Sequence, residues 1–324
     1  MHKTTLFIPI LQLPRTLQGL KPLIPHTTFR IPHSTTHPGP PWQGGRLRIP
    51  HSTFRIPHFL APLLFPLLLS ANPDSLIAVQ CQQAVRSQAE VSLRSLQIAQ
   101  TFLGQPYVSG TLEMGEAEQL VVNLHQFDCW TLVEHSVALA LTADQDYAAY
   151  KELLQKLRYW GGNIEGYASR IHYFTGWILQ AEKMGLLDDL TAQMGGVRYA
   201  KKFNYMSLRP QRYPALRHPA ILKAIQEAET RISRHQWYYI PQDKIARMEN
   251  LIQDGDIVLL TSIKPGLDVA HEGFALRKNG RVYLLHASSL QKRVIVSPQP
   301  LAQYVTSQPG QTGIMVARLK PLHP

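Results

Sequence analysis

The sequence predicts an α+β fold in which helices come first and an antiparallel sheet follows. Three observations support this. Apolar residues recur at helical spacing in several segments up to residue 252. Short β-branched runs take over after residue 256. An Asn279-Gly280 pair lies between two of those runs, the strongest local signal for a type I′ hairpin. In chain order, residues 85–103 carry Val85, Leu93, Leu96 and Phe102 on a broad apolar stripe, and Gly104 is placed to end that helix. Asp128 stands where an N-cap belongs, directly before a helical run from Cys129 to Leu141. Segments 146–159, 170–184, 216–234 and 242–252 read as further helices, the second holding Tyr173, Phe174 and Trp177. Strands are expected at 256–262, 269–278, 281–286, 293–297 and 313–319.

Composition suits a globular chain with a real core: 324 residues, 44% hydrophobic and 17% charged. The net charge of +11 is uneven. Seven basic residues and no acidic one lie in positions 1–73, leaving 26 basic against 22 acidic in the rest. The high isoelectric point therefore belongs largely to the front end, and a nucleic-acid partner is not indicated. The two cysteines, Cys81 and Cys129, are too few for a disulfide framework.

Residues 59–71 form an apolar, uncharged run, preceded by Arg46, Arg48 and Arg55 and ending in small residues. The run is too short to span a bilayer, which needs about 20 residues. Its layout is that of a secretory signal peptide, although two prolines interrupt it. It predicts an exported, periplasmic location. Ahead of it, Thr-Phe-Arg-Ile-Pro-His and Arg-Ile-Pro-His-Ser-Thr each occur twice with no helical or strand period, which predicts a disordered arm over 1–73 and a true start near residue 46. The remainder, 74–324, is expected to be one domain.

Cys129 opens a helix. The partial positive charge and unpaired N–H groups there favour a thiolate, the nucleophilic form. Position alone leaves a buried structural cysteine open. Two histidines add the chemistry. If Asn279 and Gly280 are the turn, Lys278 pairs with Arg281, His271 faces Ser288, and His286 lies two residues along the same strand. Residues two apart share a face, so the histidines are diagonal neighbours roughly 7–8 Å apart at the backbone. One imidazole can then act as base while the other orients it. A bulge shifting the register by one would undo this.

Leu103-Gly104-Gln105-Pro106-Tyr107, Phe127-Asp128-Cys129-Trp130, Ala270-His271-Glu272-Gly273-Phe274 and Leu285-His286-Ala287, in that order, resemble the NlpC-type cell-wall peptidases, compact relatives of the papain fold. Within that superfamily the chain is most similar to the N-acetylmuramoyl-L-alanine amidase-like family. The nearest features are Asp128-Cys129-Trp130-Thr131-Leu132-Val133-Glu134, Arg170-Ile171-His172-Tyr173-Phe174, Gly266-Leu267-Asp268-Val269-Ala270-His271 and His286-Ala287-Ser288-Ser289. The resemblance covers about 84–320. It implies a papain-like, NlpC-type fold with the nucleophile at a helix N-terminus packed on the sheet, and a helical insertion at 146–252. It implies Cys129 as nucleophile, His271 as general base, His286 as its orienting partner, and Tyr107 beside the nucleophile helping to hold the oxyanion. Arg170, His172, Tyr173, Asp268 and Ser288 are the substrate-binding candidates.

The implied substrate is peptidoglycan or its muropeptides, with no cofactor and no metal. The bond expected to be cut is the N-acetylmuramoyl-L-alanine amide. A D-Glu–diamino acid endopeptidase and a non-catalytic wall-binding module remain alternatives on the same residues. Glu134-His135 resembles the end of a zinc-binding His-x-x-Glu-His motif, but Thr131 occupies the first ligand position. Glu134 lies five residues after Cys129, off its face of the helix, and is read as structural.

Overall fold

The computed structural model describes residues 72–321, apart from 114 and 116. The run at 59–71 and the repeats before it, read above as a signal segment and disordered arm, lie outside those residues. Asn72 caps the first helix, its side chain accepting from Asp74 N, and Pro73 supplies the fixed φ suited to a first helical residue. In chain order the elements are α1 (Pro73–Val85), α2 (Val91–Thr101), α3 (Cys129–Leu141), α4 (Tyr147–Arg158), α5 (Phe174–Lys183), β1 (Leu187–Asp189), β2 (Val197–Arg198), α6 (Pro219–Arg234), β3 (Tyr238–Pro241), α7 (Ile245–Met248), β4 (Ile257–Ser262), β5 (Val269–Lys278), β6 (Arg281–Ser288), β7 (Arg293–Val296), α8 (Leu301–Ser307) and β8 (Gln311–Leu319).

The fold class is α+β. The sheet is antiparallel throughout, in the order β2-β3-β8-β4-β5-β6-β7, with β1 also pairing to β8. Two apolar layers sandwich it. On one face Ile257, Leu259, Phe274, Leu285 and Met315 pack with the apolar sides of α1 to α5. On the other, Val258, Leu260, Ala275, Leu284 and Val316 pack with Ile245 of α7 and Leu301 and Val305 of α8.

The hairpin forms as its turn residues require. Asn279 and Gly280 have φ of 52° and 76°, the two positive values of a type I′ turn. Lys278 pairs with Arg281, and the register runs unbroken to Phe274 opposite Leu285. The bulge in β5 lies on its other edge: His271 opposes Leu260 while Val269 opposes Thr261, leaving Ala270 as the extra residue.

Four expectations are corrected. The helix at 85–103 shortens to Val91–Thr101, since Val85 ends the separate α1 and the chain turns at 86–90, where Arg94 Nε donates to the Gln88 carbonyl and Arg94 Nη2 to that of Arg86. The helix at 170–184 begins only at Phe174, since Arg170 is extended and bridges to Tyr159. The helix at 242–252 shrinks to Ile245–Met248. Finally, 146–252 is not helical throughout: β1 and β3 leave it to pair with β8 in the main sheet.

Candidate active site

α3 is the element on which the site is built. From Thr131 to Leu141 every residue is buried, and only Cys129 and Trp130 reach partly toward the surface. Leu132, Val133 and Leu139 are fully buried, each contributing about 1.5–3 kcal/mol by leaving water. That anchoring fixes where the helix tip lies. A capping box finishes it: Asp128 Oδ1 accepts from Thr131 N at 2.8 Å, and Thr131 Oγ1 accepts from Asp128 N at 3.0 Å. Behind the tip, buried Glu134 accepts from Arg158 Nε at 2.8 Å, tying α3 to α4 as the structural role assigned to it requires.

The thiol of Cys129 is half-buried, that of Cys81 is buried, and both are free. Burial, then the carboxyls of Glu272 and Asp128, hold the Cys129 thiol well above its ordinary range. The helix terminus acts in the opposite sense. The resting nucleophile is therefore a thiol that needs a base.

The two histidines meet. His271 Nε2 and His286 Nδ1 are 2.6 Å apart, with ring centroids at 4.7 Å and planes at 88°. Gly273 makes this approach possible, since a Cβ there would lie 2.9 Å from His286 Cβ and 2.4 Å from the Leu285 carbonyl oxygen. Both rings are neutral at pH 7: burial pulls His271 down to about 4, and burial followed by the His271 charge pulls His286 to about 2. With Nε2 of His271 engaged, Nδ1 is the nitrogen left to face a reactant. Cys129 and His271 make no hydrogen bond to each other in this resting arrangement. The charge of Glu272, the next residue along β5, bears on the thiol.

Tyr107 is carried by a segment stitched to both sides of the site. Its N–H donates to the Lys292 carbonyl at 2.9 Å, and Phe127 N donates to the Pro106 carbonyl at 3.0 Å, two residues before Cys129. Burial, then the negative charge of Cys129, push its phenol up to about 12, so it is a hydrogen-bond donor at neutral pH.

Residues 97–314 match the family model for N-acetylmuramoyl-L-alanine amidase-like proteins. The chain belongs to that family. An N-acetylmuramoyl-L-alanine amidase from Bacteroides uniformis is 39% identical, with a TM-score of 0.66 over 71% of this chain and 98% of its own. A xylanase candidate from Bacteroides fragilis is 36% identical, with a TM-score of 0.66 over 70% and 99%. A Legionella pneumophila protein at 21% identity shares the fold, with a TM-score of 0.61 over 77% and 95%. No curated protein matches the chain.

In this amidase-like chain each of the five candidate substrate contacts has an internal partner. Arg170 is buried and pairs with Glu113 at 2.6 Å and Glu118 at 3.1 Å. His172 Nε2 donates to the Tyr167 carbonyl at 3.0 Å, and burial pulls it to about 3. Tyr173 donates to Glu229 at 2.6 Å and accepts from Met206 N. Asp268 is 2% exposed and caps α5, accepting from Thr175 N at 3.0 Å and Thr175 Oγ1 at 2.8 Å. Ser288 accepts from Gln291 N in the β6–β7 turn. These residues brace the segments around the site. The opening nearest Arg170 is a cleft of about 950 Å³ lined by Glu113, Glu118, Tyr167, Arg212 and Tyr213.

Two groups at the site escaped the sequence reading. Tyr304, on α8, packs its ring 5.2 Å from that of His286, and the charge of Cys129 also bears on its hydroxyl. Nothing local marked α8 as a helix. Glu272 was visible in the motif but carried no role, although strand alternation points it away from His271, onto the apolar face shared with Phe274.

Proposed function

We propose that this chain is a cell-wall hydrolase that cleaves the amide between N-acetylmuramic acid and L-alanine in peptidoglycan, with Cys129 as nucleophile and His271 as general base. One observation carries the reading: a half-buried thiol at a capped helix tip lies beside a strand whose histidine is held through Nε2 by a second neutral imidazole. That disposition is consistent with the NlpC-type resemblance of the sequence motifs. The amidase name of the Bacteroides uniformis relative supports the substrate.

The steps follow from the protonation states. As substrate enters, the Cys129 proton passes to His271 Nδ1 while sulfur bonds to the lactyl carbonyl carbon. The oxyanion is met by the Tyr107 hydroxyl and the N–H of Cys129 at the helix tip. The carbon–nitrogen bond breaks, and His271 returns the proton to the departing L-alanine nitrogen. Water then gives a proton to His271 and attacks the thioester, releasing a muramic carboxylic acid and the thiol. His286 accepts from His271 Nε2 throughout and keeps the ring oriented.

The charges around the thiol favour this bond over the D-Glu–diamino acid bond. Glu272 and Asp128 are the acidic groups whose charge bears on Cys129. A γ-linked D-Glu carries a free α-carboxylate three carbons from the scissile carbonyl, whereas the lactyl group brings none. Glycoside cleavage, suggested by the Bacteroides fragilis relative's name, needs two available carboxyls flanking the bond, and Asp128 is committed to its cap. The signal-like run at 59–71 supports an exported, periplasmic setting, where the polymer lies.

Mass spectrometry of digested peptidoglycan tests the proposal. Sugar strands without stems, together with intact stems beginning at free L-alanine, are expected, and Cys129→Ala removes both products. Shortened stems on intact sugars would overturn the choice of bond, and full activity in Cys129→Ala would overturn the mechanism.

A further inference from the structure

Positive charge gathers in one segment. Residues 198–234 hold nine basic residues and two acidic ones, whereas the rest of 74–324 holds 17 basic against 20 acidic. One of the two acids, Glu229, is buried and bonded to Tyr173. α6 sets the layout. Its Ile225, Ala228 and Ile232 are buried, which turns Lys223, Glu227, Thr230 and Arg234, at helical spacing, outward on the opposite side. Two adjoining clefts lie along that side. One, of about 610 Å³, is lined by Lys223, Glu227, Thr230, Arg231 and Arg234. The other, of about 460 Å³, is lined by Arg198, Lys201, Lys202 and Arg234, and no acid lines it. Thr230 and Arg234 belong to both, so the clefts form one track. Its α6 portion alone, from Lys223 to Arg234, is about 16 Å long. Among the described residues none of the six cations forms an ion pair. Arg231 rests on the Trp160 ring at 4.8 Å and Lys201 donates to the Ser262 carbonyl, while the other four point into the clefts' surface without a side-chain hydrogen bond. Cations gathered this closely repel one another, and an anion relieves that cost.

We propose that this track is a second substrate-binding surface, holding the carboxylates of peptidoglycan stems other than the one at the thiol. This rests on peptidoglycan being the substrate. Each uncut stem carries the free α-carboxylate of its γ-linked D-Glu and a C-terminal carboxylate, so a wall strand is a polyanion with its charges spaced along it. Six cations spread over two joined clefts match such a strand, whereas one small anion would leave most of them unneutralised. The concave form also sets a bilayer aside as occupant, because a flat headgroup layer reaches only the rims of the clefts. Among the described residues none of the six cations is bonded to Cys129, His271, His286 or Tyr107. The track therefore acts on how long the protein stays on the wall and leaves the chemistry at the thiol alone. Contacts between exposed charges are weak singly and screened by salt, so they hold a strand reversibly.

The test is cosedimentation of the full chain, carrying Cys129→Ala so that the polymer stays intact, with purified peptidoglycan stripped of phosphate-bearing polymers. The chain is expected to bind, and to be released as salt rises from about 0.05 to about 0.5 M. Lys202→Gln, Lys223→Gln and Arg234→Gln together remove three exposed cations that hold no internal bond, and should weaken binding ~10-fold, the effect of three exposed ion pairs. Amidating the carboxylates of the polymer should weaken binding of the unsubstituted track at least as much. With Cys129 restored, the triple variant should turn over a soluble muropeptide within about twofold of wild type, since the catalytic groups are untouched. Equal binding by the triple variant, undiminished binding to amidated polymer, or tighter binding to phosphatidylglycerol vesicles than to the polymer would each overturn the proposal. A matching loss of muropeptide turnover would place these residues at the catalytic centre and overturn it as well. If the triple variant melts far below wild type, the salt and amidation series on the unsubstituted track decides. Binding needs no cleavage, so a result against the track leaves the hydrolase reading standing, and failed wall digestion leaves the binding result standing.

Discussion

Replacing His286 with alanine should slow the reaction without weakening substrate binding, and the structure sets the size. His286 is 1% exposed and lies behind His271, so it touches no substrate. At rest the 2.6 Å bond joins two neutral rings. When His271 takes the thiol proton, that bond becomes charge-assisted, rising from about 0.5–1.5 to about 1.5–3 kcal/mol. The difference of about 1–1.5 kcal/mol is gained only in the transition state and corresponds to roughly tenfold in rate. Losing the acceptor also frees His271 to adopt the tautomer with its proton on Nδ1, which cannot act as base. Together they lower kcat by roughly 10–100-fold, within the range that positioned acid–base groups supply. Steady-state hydrolysis of a purified muropeptide reads this directly, with a melting curve to show that the core has held. A KM within about threefold of wild type is expected, since uniform binding is untouched. A kcat within twofold of wild type, or a rise confined to KM, would refute the orienting role.

Further outcomes follow from the same geometry. Because His271 must be neutral to act and burial pulls it down to about 4, kcat/KM should stay level from about pH 5 to 7 and fall tenfold per unit below about 4. An acid limb near 6.5, the ordinary histidine value, would contradict a buried base. Arg158→Met strands the fully buried Glu134 carboxylate and should cost about 3–5 kcal/mol of stability in urea titrations, against less than about 1 if the pair were solvated. Gly273→Ala drives a methyl onto the Leu285 carbonyl and His286 Cβ, and should cost about 1–3 kcal/mol and lower kcat as His286 is displaced. Unchanged kinetics there would show that the hairpin tolerates repacking.

What could be read from the sequence was set by local chemistry. α3 was bounded at both ends because Asp128 is a strong cap and the apolar run behind it is long. The β5–β6 register followed from Asn279-Gly280, whose φ values few other residue pairs tolerate, and that register placed the two histidines together. The elements that escaped owe their form to partners far along the chain. β1 has three residues and exists through β8, more than a hundred positions later. α8 has seven residues after Pro300, and its Leu301 and Val305 gain their helical face from packing on the sheet. Tyr304 was hidden with it. Arg170, Tyr173 and Asp268, read as substrate contacts, hold internal partners that the sequence does not show. A motif residue that braces a site and one that touches substrate look alike in sequence until their hydrogen-bond partners are known.

The most direct test of the account is the mass of the covalent intermediate. Rapid acid quenching of the working enzyme on a disaccharide-peptide should trap an adduct on the peptide containing Cys129, and its mass should equal the sugar-lactyl acyl group without any amino acid. An adduct carrying L-alanine and D-glutamate, or a quenched enzyme labelled at any residue other than Cys129, would contradict it.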